Sequence, residues 1–159
     1  MRVYVAAWLC LAGFVADVAH AGVDPADMQG VANPDRARVN YMLNCQGCHS
    51  PHGDGTADGT VPVMRDFVGQ FLKVEGGREF LVQVPGSANA ALSDAALAEV
   101  LNWMLFTISP AQVGENFRPY TTEEVQALRQ INLHDVEQVR ATLIERLNAI
   151  GIYEAGPHL

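Results

Sequence analysis

Two thiols and an imidazole lie within five residues of one another at Cys45-Gln46-Gly47-Cys48-His49, the spacing used for covalent attachment of a haem. On a helical turn, side chains at i and i+3 leave from one face, so each sulfur can form a thioether with a porphyrin vinyl group. The next side chain then points beneath the ring, which gives His49 the iron. Other uses of paired cysteines fit the context poorly. A structural zinc site calls for four ligands, and no further thiol follows Cys48. A redox pair normally follows a strand in a βαβ unit. One covalent haem c, held through Cys45 and Cys48 with His49 on the iron, is the expected cofactor.

The elements that must position this turn read as helices. Asn33-Pro34 is an N-cap followed by proline at the first helical position, with Asp35 in the first turn and Ala37, Tyr41 and Met42 running toward Cys45. Glycine, proline and aspartate dominate from Ser50 to Thr60 and mark a loop. A short apolar stretch from Gly69 to Gly77 ends in a Gly-Gly break, and Val84-Pro85-Gly86 reads as a turn. Ser93-Asp94 then caps a segment in which Leu97, Val100, Leu101, Met104, Leu105 and Ile108 recur at helical spacing. After Pro110, a helix opens at Thr121 or Thr122 with Glu123 and Glu124 in its first turn. A last helix is expected from about Asp135 to Ile150, with Gly151 as its terminator. Little strand is expected, and the fold class is all-α.

A helix running into CQGCH, a GDGT loop and a late Leu-Ser-Asp-Ala-Ala-Leu-Ala-Glu-Val-Leu helix together resemble a class I mono-haem c-type cytochrome. The resemblance covers residues 33–108 and implies electron transfer by one haem, with residues 109–159 as a C-terminal helical extension packed on that domain. It also implies that the first and last core helices cross beside the haem, and that an aromatic residue of the last one packs near it. Trp103 and Phe106 are the candidates, and ordinary core packing is the alternative for Trp103.

Family members often place a methionine ligand shortly before the late helix, but that stretch here reads Val84-Pro85-Gly86-Ser87-Ala88. Methionine and histidine both ligate haem iron. Met28 and Met42 lie upstream, His52 follows His49 too closely to cross the ring, and His134 and His158 fall in the tail. Met64, on an irregular segment past Val61-Pro62-Val63, is the expected distal ligand, since the roughly 15 residues from His49 reach about 50 Å when extended. Met104 and an open or water-bound iron remain the competing arrangements. Arg78, after Gly76-Gly77, is expected either at a haem propionate through its bidentate fork or solvated at the surface. Phe117-Arg118-Pro119-Tyr120 either covers the haem or packs the last helices onto the core.

Residues 1–21 carry one early charge at Arg2, an apolar run from Val3 to Val15 and a small-residue end at Ala19-His20-Ala21, the grammar of a cleaved secretory signal. The run is shorter than the roughly 20 residues a bilayer span needs. Cleavage removes Cys10 and leaves Cys45 and Cys48 for the haem, in a chain long enough for one core. The compartment implied is the periplasm, with no membrane span after cleavage.

The formal net charge is -8 and Lys73 is the only lysine, which argues against nucleic acid as a partner. The expected role is a periplasmic single-electron carrier that takes electrons from a dehydrogenase and passes them to a downstream cytochrome or oxidase. A haem enzyme or gas sensor with an open distal iron is the alternative. No nucleophile and base pair, second metal cluster or nucleotide-binding loop is evident, so no catalytic residue is assigned.

Overall fold

Side-chain caps decide where the chain starts its helices. The computed structural model describes residues 24–152; the expected signal segment 1–21, with Cys10, and His158 lie outside the described residues. Asn33 Oδ1 accepts from the Arg36 amide at 2.9 Å and opens α1 (Pro34–Asn44). Ser93 Oγ accepts from the Ala96 amide at 3.2 Å and opens α5 (Asp94–Ile108). Thr121 and Asp135 do the same for α6 (Thr122–Arg129) and α7 (Val136–Ala149). Each cap satisfies an amide that the first helical turn would otherwise leave unpaired. Gly151 follows α7 at φ +80, in the left-handed region that ends helices. Three shorter helices, α2 (Gln46–His49), α3 (Gly77–Gln83) and α4 (Pro85–Ala88), and a 3-10 stretch at Val68–Lys73 complete the part that forms the site. No strand occurs among the described residues, in keeping with the all-α expectation.

Helix α5 is the axis. Almost every side chain from Leu97 to Phe106 is buried, because α1 packs on one side of it and α6 on another, and a helix apolar all round must be enclosed. The buried Glu99 fixes α1 at its N-terminal end: Arg36 donates to Oε2 and Oε1 from Nε and Nη2 at 2.8 and 2.7 Å, and the Asn33 amide donates to Oε1 at 2.9 Å. Burial alone would push the Glu99 carboxyl up, but the Arg36 guanidinium and the Asn33 amide outweigh it and hold it below the ordinary range.

Asn102, fully buried on α5, makes a second joint. Its Nδ2 donates to the carbonyls of Gly30 and Tyr120, both at 3.1 Å, and its Oδ1 accepts from the Tyr120 amide at 2.8 Å. The approach is close enough to require glycine at position 30, where φ is +76 and a Cβ would collide with the Asn102 amide and stand 2.6 Å from Pro119 Cβ.

The stretch 69–77, expected to break at Gly-Gly, instead launches α3. Gly76 takes φ +84 as the N-cap, and a Cβ on Gly77 would run into the Phe71 carbonyl, so the pair permits a tight turn into a helix. The turn expected at Val84-Pro85-Gly86 is the short helix α4. The connector from α4 to α5 is pinned by Arg129 of α6, which donates to the carbonyls of Ala88, Leu92 and Ala90 at 3.0, 2.9 and 2.9 Å and to Asp94 Oδ1 at 2.8 Å. The segment after residue 109 shares the core through Tyr120, Val125, Leu143 and Leu147.

Candidate functional site

Cys45, Cys48 and His49 share one turn because the chain bends at Cys45. That residue ends α1 at φ -125, with its amide on the Tyr41 carbonyl at 2.8 Å, and caps α2; the His49 amide then donates to the Cys45 carbonyl at 3.0 Å. Ser50, at φ 65, stops the helix and is held by Tyr41, whose hydroxyl donates to the Ser50 carbonyl at 2.9 Å. Neither cysteine is in a disulfide; Cys45 is half-buried and Cys48 exposed. Burial, with the adjacent Cys48 second, pushes the Cys45 thiol up to about 11.

The three residues line a cavity of about 230 Å³ with predominantly apolar walls. Phe80 and Leu81 of α3, Leu97 and Leu101 of α5, and Val136 and Arg140 of α7 are among its lining residues. His49 Nδ1 is enclosed without a hydrogen-bond partner. Burial lowers the His49 pKa, so the ring is neutral at pH 7 with its lone pair available.

Met64 and Met104 both line the same cavity. Met64 arrives on a loop folded back toward the attachment turn: its amide and that of Arg65 donate to the Gly53 carbonyl at 2.7 and 3.0 Å, and Asp54 pairs with Arg65. The Asp66 amide on the Ile108 carbonyl, at 3.0 Å, ties the loop's end to α5.

Two expected haem contacts are placed elsewhere. Arg78 is not among the cavity-lining residues; its Nε and Nη2 donate to Glu124 at 2.6 and 2.7 Å, its Nη1 donates to the Arg118 carbonyl at 2.7 Å, and its guanidinium stacks 3.9 Å over the Tyr120 ring. The fork is committed to a carboxylate of the chain itself. Trp103 is also off the cavity wall, packed against Tyr41 with ring centroids 5.4 Å apart, and Tyr41 is the member of that pair that lines the cavity. Phe106 pairs edge-on with Phe117 at 5.2 Å, so the 117–120 segment packs the late helices together.

Sequence reasoning missed Tyr41, Asn102 and Arg140. Asn102 carried a signal, as a polar residue inside the apolar stripe of α5; Arg140, on the wall 91 positions after His49, carried none.

Burial, with Cys45 and Asp54 adding to it, pushes the Tyr41 phenol up to about 12, and burial also raises Tyr120. A phenol whose folded pKa exceeds its unfolded value of about 10 adds stability that is complete below about pH 10 and lost as pH rises through the folded pKa. Denaturant midpoints should therefore fall between pH 10 and about 12. Tyr41→Phe should flatten part of that fall, and a midpoint as steep in the variant as in the parent chain would show that Tyr41 is not its source.

An all-helical chain that folds a CxxCH turn onto an apolar cavity, with a neutral imidazole beside two free thiols, has the architecture of a mono-haem c-type cytochrome. The chain is 32% identical over 117 residues to one cytochrome c-552 of Thermus thermophilus, covering 62% of this chain and 77% of that protein, and 34% identical over 113 residues to a second Thermus thermophilus cytochrome c-552, covering 60% and 84%. No protein-family model and no solved structure gives a significant match. The chain belongs to the c-type cytochromes, electron-transfer proteins, and its cofactor is covalently bound haem c. The residues present fit that group: thiols for two thioethers, one neutral ring nitrogen for the iron, and apolar walls for the porphyrin.

Proposed function

We propose that this protein is a periplasmic single-electron carrier whose haem is attached through Cys45 and Cys48 and ligated by His49. The observation carrying the reading is the half-buried, neutral His49 standing with both thiols on the wall of one apolar cavity. Bound haem supplies the redox-active iron. The chain's own part is to fix the end of the attachment turn through the Tyr41–Ser50 bond and to exclude water with Phe71, Phe80 and Leu101, which sets how strongly the charged state of the site is disfavoured. The signal-like run from Val3 to Val15 supports export.

The electron donor is proposed to be a periplasmic dehydrogenase, and the acceptor a downstream cytochrome or oxidase. A chain of net charge -8 with one lysine calls for a basic docking patch on the partner, because opposite charge raises the encounter rate. The holoprotein, matured with covalent haem, should titrate as a reversible one-electron couple. Its reduction by a candidate dehydrogenase, followed by stopped flow, should slow as salt rises, since exposed charges are screened within about 10 Å at 0.1 M. A haem that does not cycle reversibly would refute the carrier role, whereas a salt-independent rate would refute only the electrostatic docking.

A further inference from the structure

We propose that His49 is the only side-chain ligand the described residues offer the haem iron, and that the cavity face walled by α3 and α4 receives a small neutral diatomic molecule. This rests on the haem reading above and adds a binding site to it. Apart from the attachment turn, the sulfur and imidazole groups on the cavity wall reduce to Met64 and Met104. His52 belongs to a separate surface cleft with Arg65 and Asp66, and His134 is not on the cavity wall.

Both methionines come from elements other than α3 and α4. Met64 follows a loop whose backbone is bonded to Gly53, four residues after His49, and a Cβ on Gly53 would stand 3.1 Å from Met64 Cβ. Its backbone is thus anchored to the loop that leaves His49. Met104 projects from α5, the helix crossed by α1, and is 6% exposed within the main core cluster.

The α3 and α4 wall holds no such donor. Helices α3 and α4 pack on each other, and α3 also on the 3-10 stretch, α6 and α7, and both line the cavity that α2 lines. Their lining side chains are Phe80, Leu81, Val84 and Ser87, with Gly86. The connector that follows, Asn89 to Leu92, has neither methionine nor histidine, and the four bonds from Arg129 prevent it from swinging another element's side chain inward. An apolar face of this kind disfavours a charged ligand, which would lose its hydration without a counter-charge, and admits a neutral one.

Carbon monoxide is the probe. The dithionite-reduced holoprotein should bind one carbon monoxide per haem with a saturable Soret shift, and the oxidised protein should lack the near-infrared sulfur-to-iron band. Met64→Leu and Met104→Leu keep side-chain volume and remove sulfur, and carbon monoxide affinity in each should stay within about twofold of the parent, as expected of volume-conserving swaps. A sulfur-to-iron band in the parent that disappears in either variant overturns the proposal, as does a low-spin bis-histidine spectrum or carbon monoxide binding that appears only in a variant. Covalent haem is measured on the same samples as its pyridine haemochrome, so a haem-free product counts against the attachment reading and is not mistaken for a blocked iron.

Discussion

Replacing Cys45 and Cys48 together with serine should yield a chain whose haem is fully removed by acid–acetone and whose thermal unfolding is no longer cooperative. The first result follows from the thioethers, which serine cannot form. The second follows from the cavity. Phe71, Phe80, Leu81, Leu97 and Leu101 are among its lining residues, and each such side chain left facing water forfeits about 1.5–3 kcal/mol of burial. A domain's whole stability is about 5–15 kcal/mol, so losing the filler removes a large part of it. Intact mass and circular dichroism melting measure the two outcomes. A double variant that melts as sharply as the parent would mean that the walls close on themselves and that haem is not part of the core.

Asn102→Ala should be the most damaging single substitution outside the attachment turn. It strands the Gly30 and Tyr120 carbonyls and the Tyr120 amide, all three bonded to one side chain. An unsatisfied buried group costs about 1–3 kcal/mol. Because Gly30 lies in an exposed stretch where water can replace the lost bond, the net destabilisation expected is about 3–5 kcal/mol. Met104→Leu, on the same helix and also buried, should cost less than about 1.5 kcal/mol. Urea titration of the two holoproteins compares them directly. Equal losses would show that α5 responds to any change in packing rather than to this polar joint.

The helices whose first residues follow a capping side chain were legible from the residues alone. Asn33, Ser93, Thr121 and Asp135 each state a start locally, and the apolar stripe of α5 states burial. Helix α3 was not legible, because Gly76-Gly77 reads as a breaker unless the Phe71 carbonyl beside Gly77 is known. The attachment turn was legible because its chemistry is confined to five residues. Arg78 was misread because its partner, Glu124, lies 46 residues away, and a bidentate fork has no preference in sequence between a propionate and a carboxylate of the chain. Trp103 stayed open between a cofactor contact and ordinary core for a similar reason: which of Tyr41 and Trp103 lines the cavity depends on how α1 and α5 cross.

The joint between Arg36 and Glu99 spans 63 residues, and α7 reaches the cavity later still. A chain emerging from its N-terminus therefore presents the cysteine turn well before the residues that enclose it exist. Closing so long a loop is the slow event in acquiring this topology, and until then both thiols are open to whatever machinery ligates the porphyrin. Residues that complete the enclosure come last along the chain, so a chain threaded outward from its N-terminus has a window for cofactor loading, and one that stopped after α4 would keep the attachment chemistry while lacking the compartment.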